Sequence, residues 1–385
     1  MRAELRWVGF FLGLALVATT WGSIVTTVVL PRLVASPITA ATWRAVHAAF
    51  RVVADRRPRY ASKDRLLALL GPVAVLATLL SWLALLLLGY GLLLWPFVGG
   101  GLGGALRIAG SSLFTLGFVV SAAPAASPLE FVAAASGMVV VALQIGYLPT
   151  LYGAYNRRET LLTALGARAG APAWGPEILA RHQLDHAVAT LPALFAAWET
   201  WAADITESHA SYPWLMVFRS PDPLQSWVVS LLAMLDAAAL YLAVAPASAP
   251  PEARQFLRAG FVGLRALARA TGTPVNEDPL PDDPLALSFA QFAGGVELLR
   301  EAGFPAERTA EAAWRDFRGW RVNYEAAAYV LADFVVAVPA PWSGRRTNMT
   351  REAAFDALAN RPRHRTPDDP EGRAALPSRR IKAEL

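Results

Sequence analysis

The chain has 385 residues, 55% of them hydrophobic and only 17% charged, with a mean hydropathy of +0.37. That balance excludes an ordinary soluble globule and points to membrane spans joined to a soluble part. Cysteine is absent, which excludes disulfides and thiolate metal sites, and the net charge of +5 comes from basic residues beside apolar runs and in the tail. No basic helix interleaved with aromatics occurs, so the charge is a topology signal and no nucleic-acid partner is expected.

Residues 8–30 form the first apolar run, about 35 Å long as a helix and enough to cross a hydrocarbon core of roughly 30 Å. Arg2 and Arg6 precede it as they would a signal peptide, but the run is long for one and has no small-residue cleavage site. We read it as a retained span. Residues 31–65 carry eight Lys or Arg against Asp55 and Asp64, which predicts a short loop held in the cytoplasm. Within it, Trp43, Val46, Phe50 and Val53 fit either an amphipathic surface helix or a solvated linker. Residues 66–94 are uncharged and make the strongest span, with Trp95 and Pro96 at its outer interface.

Residues 99–104, GGGLGG, follow no strand and lack a P-loop lysine, so they form a flexible approach to the next helix and not a phosphate cradle. Residues 104–114 then make a helix of about 16 Å, half the thickness of a bilayer core. Irregular backbone at membrane depth is tolerated only where protein buries it or where it lines a wet cavity, so a half-span returning as extended chain implies a pore or a site. Thr115-Leu116-Gly117-Phe118 follow at once.

These four residues, in the order long helix, short helix, T-x-G-[YF], long helix, Arg157-Arg158, resemble the potassium-channel pore family, whose filter runs T-x-G-[YF]-G-D. The resemblance covers roughly residues 60–160, with a fainter likeness to bacterial channel-like proteins beyond. It implies a cation filter made of the carbonyls of Thr115, Leu116, Gly117 and Phe118 with the Thr115 hydroxyl. A single copy of the motif implies a homotetramer in the lipid bilayer, with monovalent cations, potassium first, as the permeant species and no cofactor. Two positions depart from the pattern: Val119 replaces the second glycine and Val120 the aspartate. They put the outermost carbonyl ring and strict potassium selectivity in question.

Residues 129–155 are the third span and, by the resemblance, the inner helix lining the cavity. Ser136 and Gln144 lie eight apart near one face, Gly137 and Gly146 allow close packing or bending, and Pro149 is either a gate hinge or simply the end of the membrane section. Tyr147, Tyr152 and Tyr155 form an aromatic belt before Arg157 and Arg158. The expected topology is a multi-pass protein of the cytoplasmic membrane with an external N-terminus and a cytoplasmic C-terminus.

Beyond residue 158, Pro and Gly punctuate helices predicted over 159–168, 176–208, 223–244, 251–271, 285–302 and 306–337. The expected fold is thus an all-α integral membrane protein. It has three transmembrane helices plus a re-entrant pore helix and filter (1–158), a cytoplasmic helical domain (159–338) and a disordered basic, Pro-rich tail (339–385). Residues 227–245 are apolar enough to be a fourth span. Asp236 would cost about 2.5–3.5 kcal/mol at its centre, which favours a buried bundle helix.

His182 and His186 lie four apart, a zinc-compatible spacing on one helical face, but the glutamate of H-E-x-x-H is missing and no third ligand is fixed. A structural role is the simpler reading, and neither a metal site nor a catalytic residue is assigned. Ser208-His209 are neighbours and form no triad; Glu207, His209 and Arg219 are expected in a buried polar network. The leading expectation is a tetrameric cation channel with a cytoplasmic regulatory domain, and not an enzyme. The alternatives are a non-conducting or non-selective channel-derived sensor or scaffold, suggested by Val119 and Val120, and a membrane-tethered metalloenzyme built on the two histidines.

Overall fold

The computed structural model describes residues 2–30 and 36–346. Residues 31–35 of the basic loop and 347–385 of the predicted tail lie outside the described residues. Among the described residues the fold is all α-helical, without a strand, and divides into two compact units. Unit 1 is Met1–Val52 with Leu69–Gly153, and unit 2 is Val53–Ala68 with Ala154–Leu385. The division therefore falls five residues earlier than the expected boundary after Arg158, and part of the basic loop belongs with the C-terminal half.

In chain order, α1 (Arg2–Ile24) ends in a π-helical turn, Val25–Val29, and α2 spans Pro37–Asp55. The apolar spacing over residues 39–53 is thus a helix and not a linker. Its Thr39 meets Thr27 at 2.9 Å and its Thr42 donates to Ser81 at 3.2 Å. Helix α3 (Tyr60–Leu67) belongs to unit 2; α4 (Leu70–Leu94) and α5 (Gly101–Leu113) follow in unit 1. Helix α6 (Ser127–Ala169) runs unbroken for 43 residues through Pro149. The third apolar run and the first predicted helix of the C-terminal half are therefore one element.

Unit 2 continues with α7 (Gly175–Leu184), α8 (Leu191–Ser211), α9 (Trp227–Val244) and α10 (Pro251–Ala270). It closes with α11 (Phe289–Glu301), α12 (Ala310–Arg321) and α13 (Glu325–Phe334). The helix predicted over 176–208 is broken. Its first part closes with His186 at φ 53, where the His186 N–H reaches Gln183 O and the Ala187 N–H reaches His182 O, before α8 restarts with a proline in its first turn. The stretch 306–337 is likewise two helices.

Four helices are long and apolar enough to cross a membrane, as in a multi-pass membrane protein. In Glu4–Val29, Tyr60–Leu94 and Pro124–Ala169 only 28%, 39% and 28% of the apolar window is buried, whereas Trp227–Val244 is buried completely. The first three present apolar surface outward; α9 spends its own inside unit 2, packed by α7, α8, α10, α12 and α13. Asp236 in its middle is met by Arg321 and by the Tyr324 hydroxyl at 2.9 Å, which lets a charged residue sit in an apolar helix.

Candidate functional site: the turn after helix α5

The candidate site is the turn that ends α5. Phe114 N–H closes on Gly110 O at 3.0 Å, Thr115 N–H on Ser112 O at 2.9 Å and Leu116 N–H on Ser111 O at 2.8 Å. This is a Schellman closure, in which the residue after the cap adopts a left-handed conformation and is usually glycine. Here it is Thr115, at φ 54, a β-branched residue in a region that such side chains rarely occupy. Gly117 follows at φ 69, where the missing Cβ makes the conformation easy.

One residue, through its backbone carbonyl and its side chain, organises the turn. Ser111, buried to 1% exposure, accepts the N–H of both Leu116 and Gly117 (3.2 Å) on its carbonyl and that of Val119 (3.0 Å) on its hydroxyl. Further along, Ser121 N–H is held by Glu130 at 3.1 Å and Ala123 N–H by the Ser121 hydroxyl at 3.1 Å. The N–H groups of Phe114, Thr115, Leu116, Gly117, Val119, Ser121 and Ala123 are thus engaged by the protein. Among the described residues no hydrogen bond uses the carbonyl of Thr115, Leu116, Gly117 or Phe118 as acceptor. The turn therefore offers oxygens, and the C-terminal end of α5 adds partial negative charge to them. Leu116, Phe118 and Val120 are 61%, 64% and 72% exposed in the isolated chain.

Val119 is absent from the positive-φ residues, so the position of the family's second glycine does not take the left-handed conformation here. Its N–H is spent on Ser111 instead.

The four cavity or gate candidates on α6 divide into two pairs. Ser136 (3% exposed) and Gln144 (8%) are buried, and Ser136 shares a 2.6 Å hydrogen bond with Tyr90 of α4. Gly146 has open space where a Cβ would stand, and Pro149 is exposed. The helix continues past Pro149, so the membrane segment does not end in a helix terminus there. Nearby, Gly137 permits the closest helix contact of the site: a Cβ on it would lie 1.8 Å from Leu113 O at the end of α5. Gly137 thus packs closely, one of the two roles its pattern suggests, whereas Ser111 is not singled out by pattern, although paired serines near the end of a short helix signal side chains competing for backbone groups.

In unit 2 two of the three residues expected in a buried polar network, His209 and Arg219, lie in one, and Glu207 does not. Arg158 is fully buried and donates to Glu159 at 2.9 Å, Leu215 O at 2.7 Å and Phe218 O at 2.7 Å, with His209 Nε2 at 3.2 Å. Burial, and then the Arg158 guanidinium beside it, hold His209 well below the ordinary imidazole value of 6.5. Arg219 pairs with Asp64 and donates to the Tyr60 hydroxyl at 2.6 Å and to Val335 O at 2.9 Å, while its own carbonyl accepts the Tyr155 hydroxyl at 3.1 Å. Glu207 stays on the surface and accepts the Ser211 hydroxyl at 3.2 Å.

His182 and His186 do not share a helical face. Helix α7 ends at Leu184, His182 Nδ1 meets Ile178 O at 2.7 Å, and His186 stands in the left-handed turn. Among the described residues no group of three or more His, Cys, Asp or Glu is arranged to hold a metal ion. Compared with protein families, curated proteins and solved structures, the chain matches none.

Proposed function

We propose that this chain is the subunit of a fourfold membrane channel for monovalent cations, potassium first. In this reading α4 and α6 cross the cytoplasmic membrane around the re-entrant α5, the turn from Thr115 to Phe118 is the filter, and unit 2 is a regulatory domain on the cytoplasmic side. The observation that carries the reading is the partition of the turn's polar groups: the N–H groups of Thr115, Leu116, Gly117 and Val119 are consumed by Ser111 and Ser112, while among the described residues the carbonyls of Thr115, Leu116, Gly117 and Phe118 are left without protein donors. Rings of such carbonyls replace the hydration shell of a cation, and one chain supplies only one side of a ring. In lipid, the same oxygens would be costly unless water, ions or a neighbouring subunit met them.

Purified protein in liposomes should pass potassium, and Gly117→Ala should reduce the flux at least about tenfold by straining the left-handed turn. No flux from the unaltered protein under any ionic gradient contradicts the proposal.

A second reading has its own observation. Val119 lacks the left-handed conformation and Val120 supplies no carboxylate, which favours a pore of relaxed selectivity or a channel-derived scaffold that does not conduct. Val119→Gly with Val120→Asp then creates or sharpens potassium selectivity; an unaltered protein that already selects potassium over sodium rules this reading out.

A further inference from the structure

Helix α3 and the turn before it sort their charges by side. The inner face of α3, spaced at i, i+3, i+4 and i+7, is Tyr60, Lys63, Asp64 and Leu67, and all four are buried. Both carboxylates of residues 53–68 already have cations: Asp64 pairs with Arg219, and Asp55, at the end of α2, meets Lys63 at 3.5 Å. The Tyr60 hydroxyl also accepts from Arg219 at 2.6 Å, which fixes α3 as a platform within unit 2.

Four arginines are left over. Arg56, Arg57, Arg59 and Arg65 are all exposed, and among the described residues no carboxylate meets any of them. Like charges gathered on one short stretch repel one another, a cost that an external anion removes. Position and neighbours say which anion. Arg65 stands five residues before Leu70, where α4 begins, and the turn from Arg56 to Arg59 stands eleven to fourteen residues before it. Helix α4 is about 37 Å long against a hydrocarbon core of roughly 30 Å, so its first turn and the residues leading into it fall in the headgroup layer. Val52, Val53 and Leu69 bracket the arginines with exposed apolar side chains, which a lipid interface would cover and a soluble anion would leave in water.

We propose that Arg56, Arg57, Arg59 and Arg65 form a docking site for the phosphates of anionic phospholipids in the leaflet beside the start of α4. The guanidinium groups pair with headgroup phosphates, and Val52, Val53 and Leu69 enter the interface around them. The assignment requires that α4 crosses the membrane and not that the chain conducts. Lipid preference and cation flux are therefore separate measurements, and either can fail alone.

The test is native mass spectrometry of the full-length protein in detergent with equimolar phosphatidylglycerol and phosphatidylcholine. The unaltered protein should retain phosphatidylglycerol at least about tenfold in preference, and each single Arg→Gln change in the cluster should weaken that binding by about fivefold. The fourfold variant Arg56→Gln, Arg57→Gln, Arg59→Gln, Arg65→Gln should bring the two lipids to parity with its thermal midpoint retained, since all four side chains are exposed. Arg254→Gln with Arg258→Gln removes two exposed arginines of α10, far along the chain from α4, and should leave the preference unchanged. A preference that survives in the fourfold variant, or that falls equally in the α10 variant, overturns the assignment. So does inorganic phosphate that displaces phosphatidylglycerol at equal concentration, which would make the cluster a site for a soluble anion.

Discussion

The two units bury polar groups by different means. In unit 1 they are neutral and short: Trp82 Nε1 donates to the Ser23 hydroxyl at 2.9 Å, Ser36 to the same oxygen at 2.5 Å, and Tyr90 meets Ser136 at 2.6 Å. In unit 2 the buried groups are charged. Arg158 and Arg321 are both completely enclosed, one on backbone carbonyls and a single carboxylate, the other between Asp236 and Glu325. A hydroxyl pair costs little to desolvate and little to lose, whereas a buried guanidinium is strongly destabilising once its partner is gone. Unit 1 should therefore respond chiefly to steric change at its close contacts, and unit 2 to changes of charge.

The largest effect is expected where that contrast is sharpest. Arg321→Met leaves Asp236 and Glu325 buried without their cation and should destabilise unit 2 by about 3–5 kcal/mol in denaturant unfolding. In unit 1, Gly137→Ala drives a methyl into Leu113 O and should cost about 3 kcal/mol, read as a lowered thermal midpoint in detergent.

Acid probes the buried imidazole of unit 2 next. His209 is neutral when folded and titrates near 6.5 when unfolded, so below that value the unfolded chain binds the extra proton. Stability of unit 2 should be unaffected by this group above pH 6.5. The contribution of this group should fall by about 1.4 kcal/mol per pH unit below 6.5, down to the lowered folded value, and it is read as the difference between the unaltered protein and His209→Gln, since Asp236, pushed up to about 6 by burial, acts with the opposite sign in both. Unit 1 carries a histidine of its own, His47, which burial and then Arg51 hold below 6.5, so its stability declines with acid as well, and His209→Gln should leave that decline unchanged.

The smallest predicted change has the opposite sign. Thr115→Gly relieves a β-branched side chain of a left-handed backbone and should stabilise unit 1 by about 1 kcal/mol while altering cation flux. A loss of stability would mean that the strain is absent.

Legibility in sequence followed the range of the interactions involved. Long uncharged runs announce α1 and α4 because helix length and hydropathy are local properties. The unbroken course of α6 was hidden, since Pro149 and Arg157-Arg158 look like punctuation, and only tertiary packing decides whether a helix continues through them. Asp236 marked α9 as something other than a lipid-facing helix, but Arg321, its partner 85 residues later, carries no local signal. The break at residues 185–190 was missed because a histidine in a left-handed turn replaces the expected glycine. At the candidate site, Thr115 to Phe118 stood out by motif. Ser111 did not, because a serine in a helix of small residues gives no sign that three N–H groups converge on it.

The central claim is that four copies of this turn share one axis. The most direct measurement is the structure of the protein reconstituted in lipid nanodiscs, traced through residues 112–120. The account predicts fourfold symmetry with the carbonyls of Thr115, Leu116, Gly117 and Phe118 directed at the axis. A single subunit, or an assembly that places this turn on its lipid-facing perimeter, would contradict it.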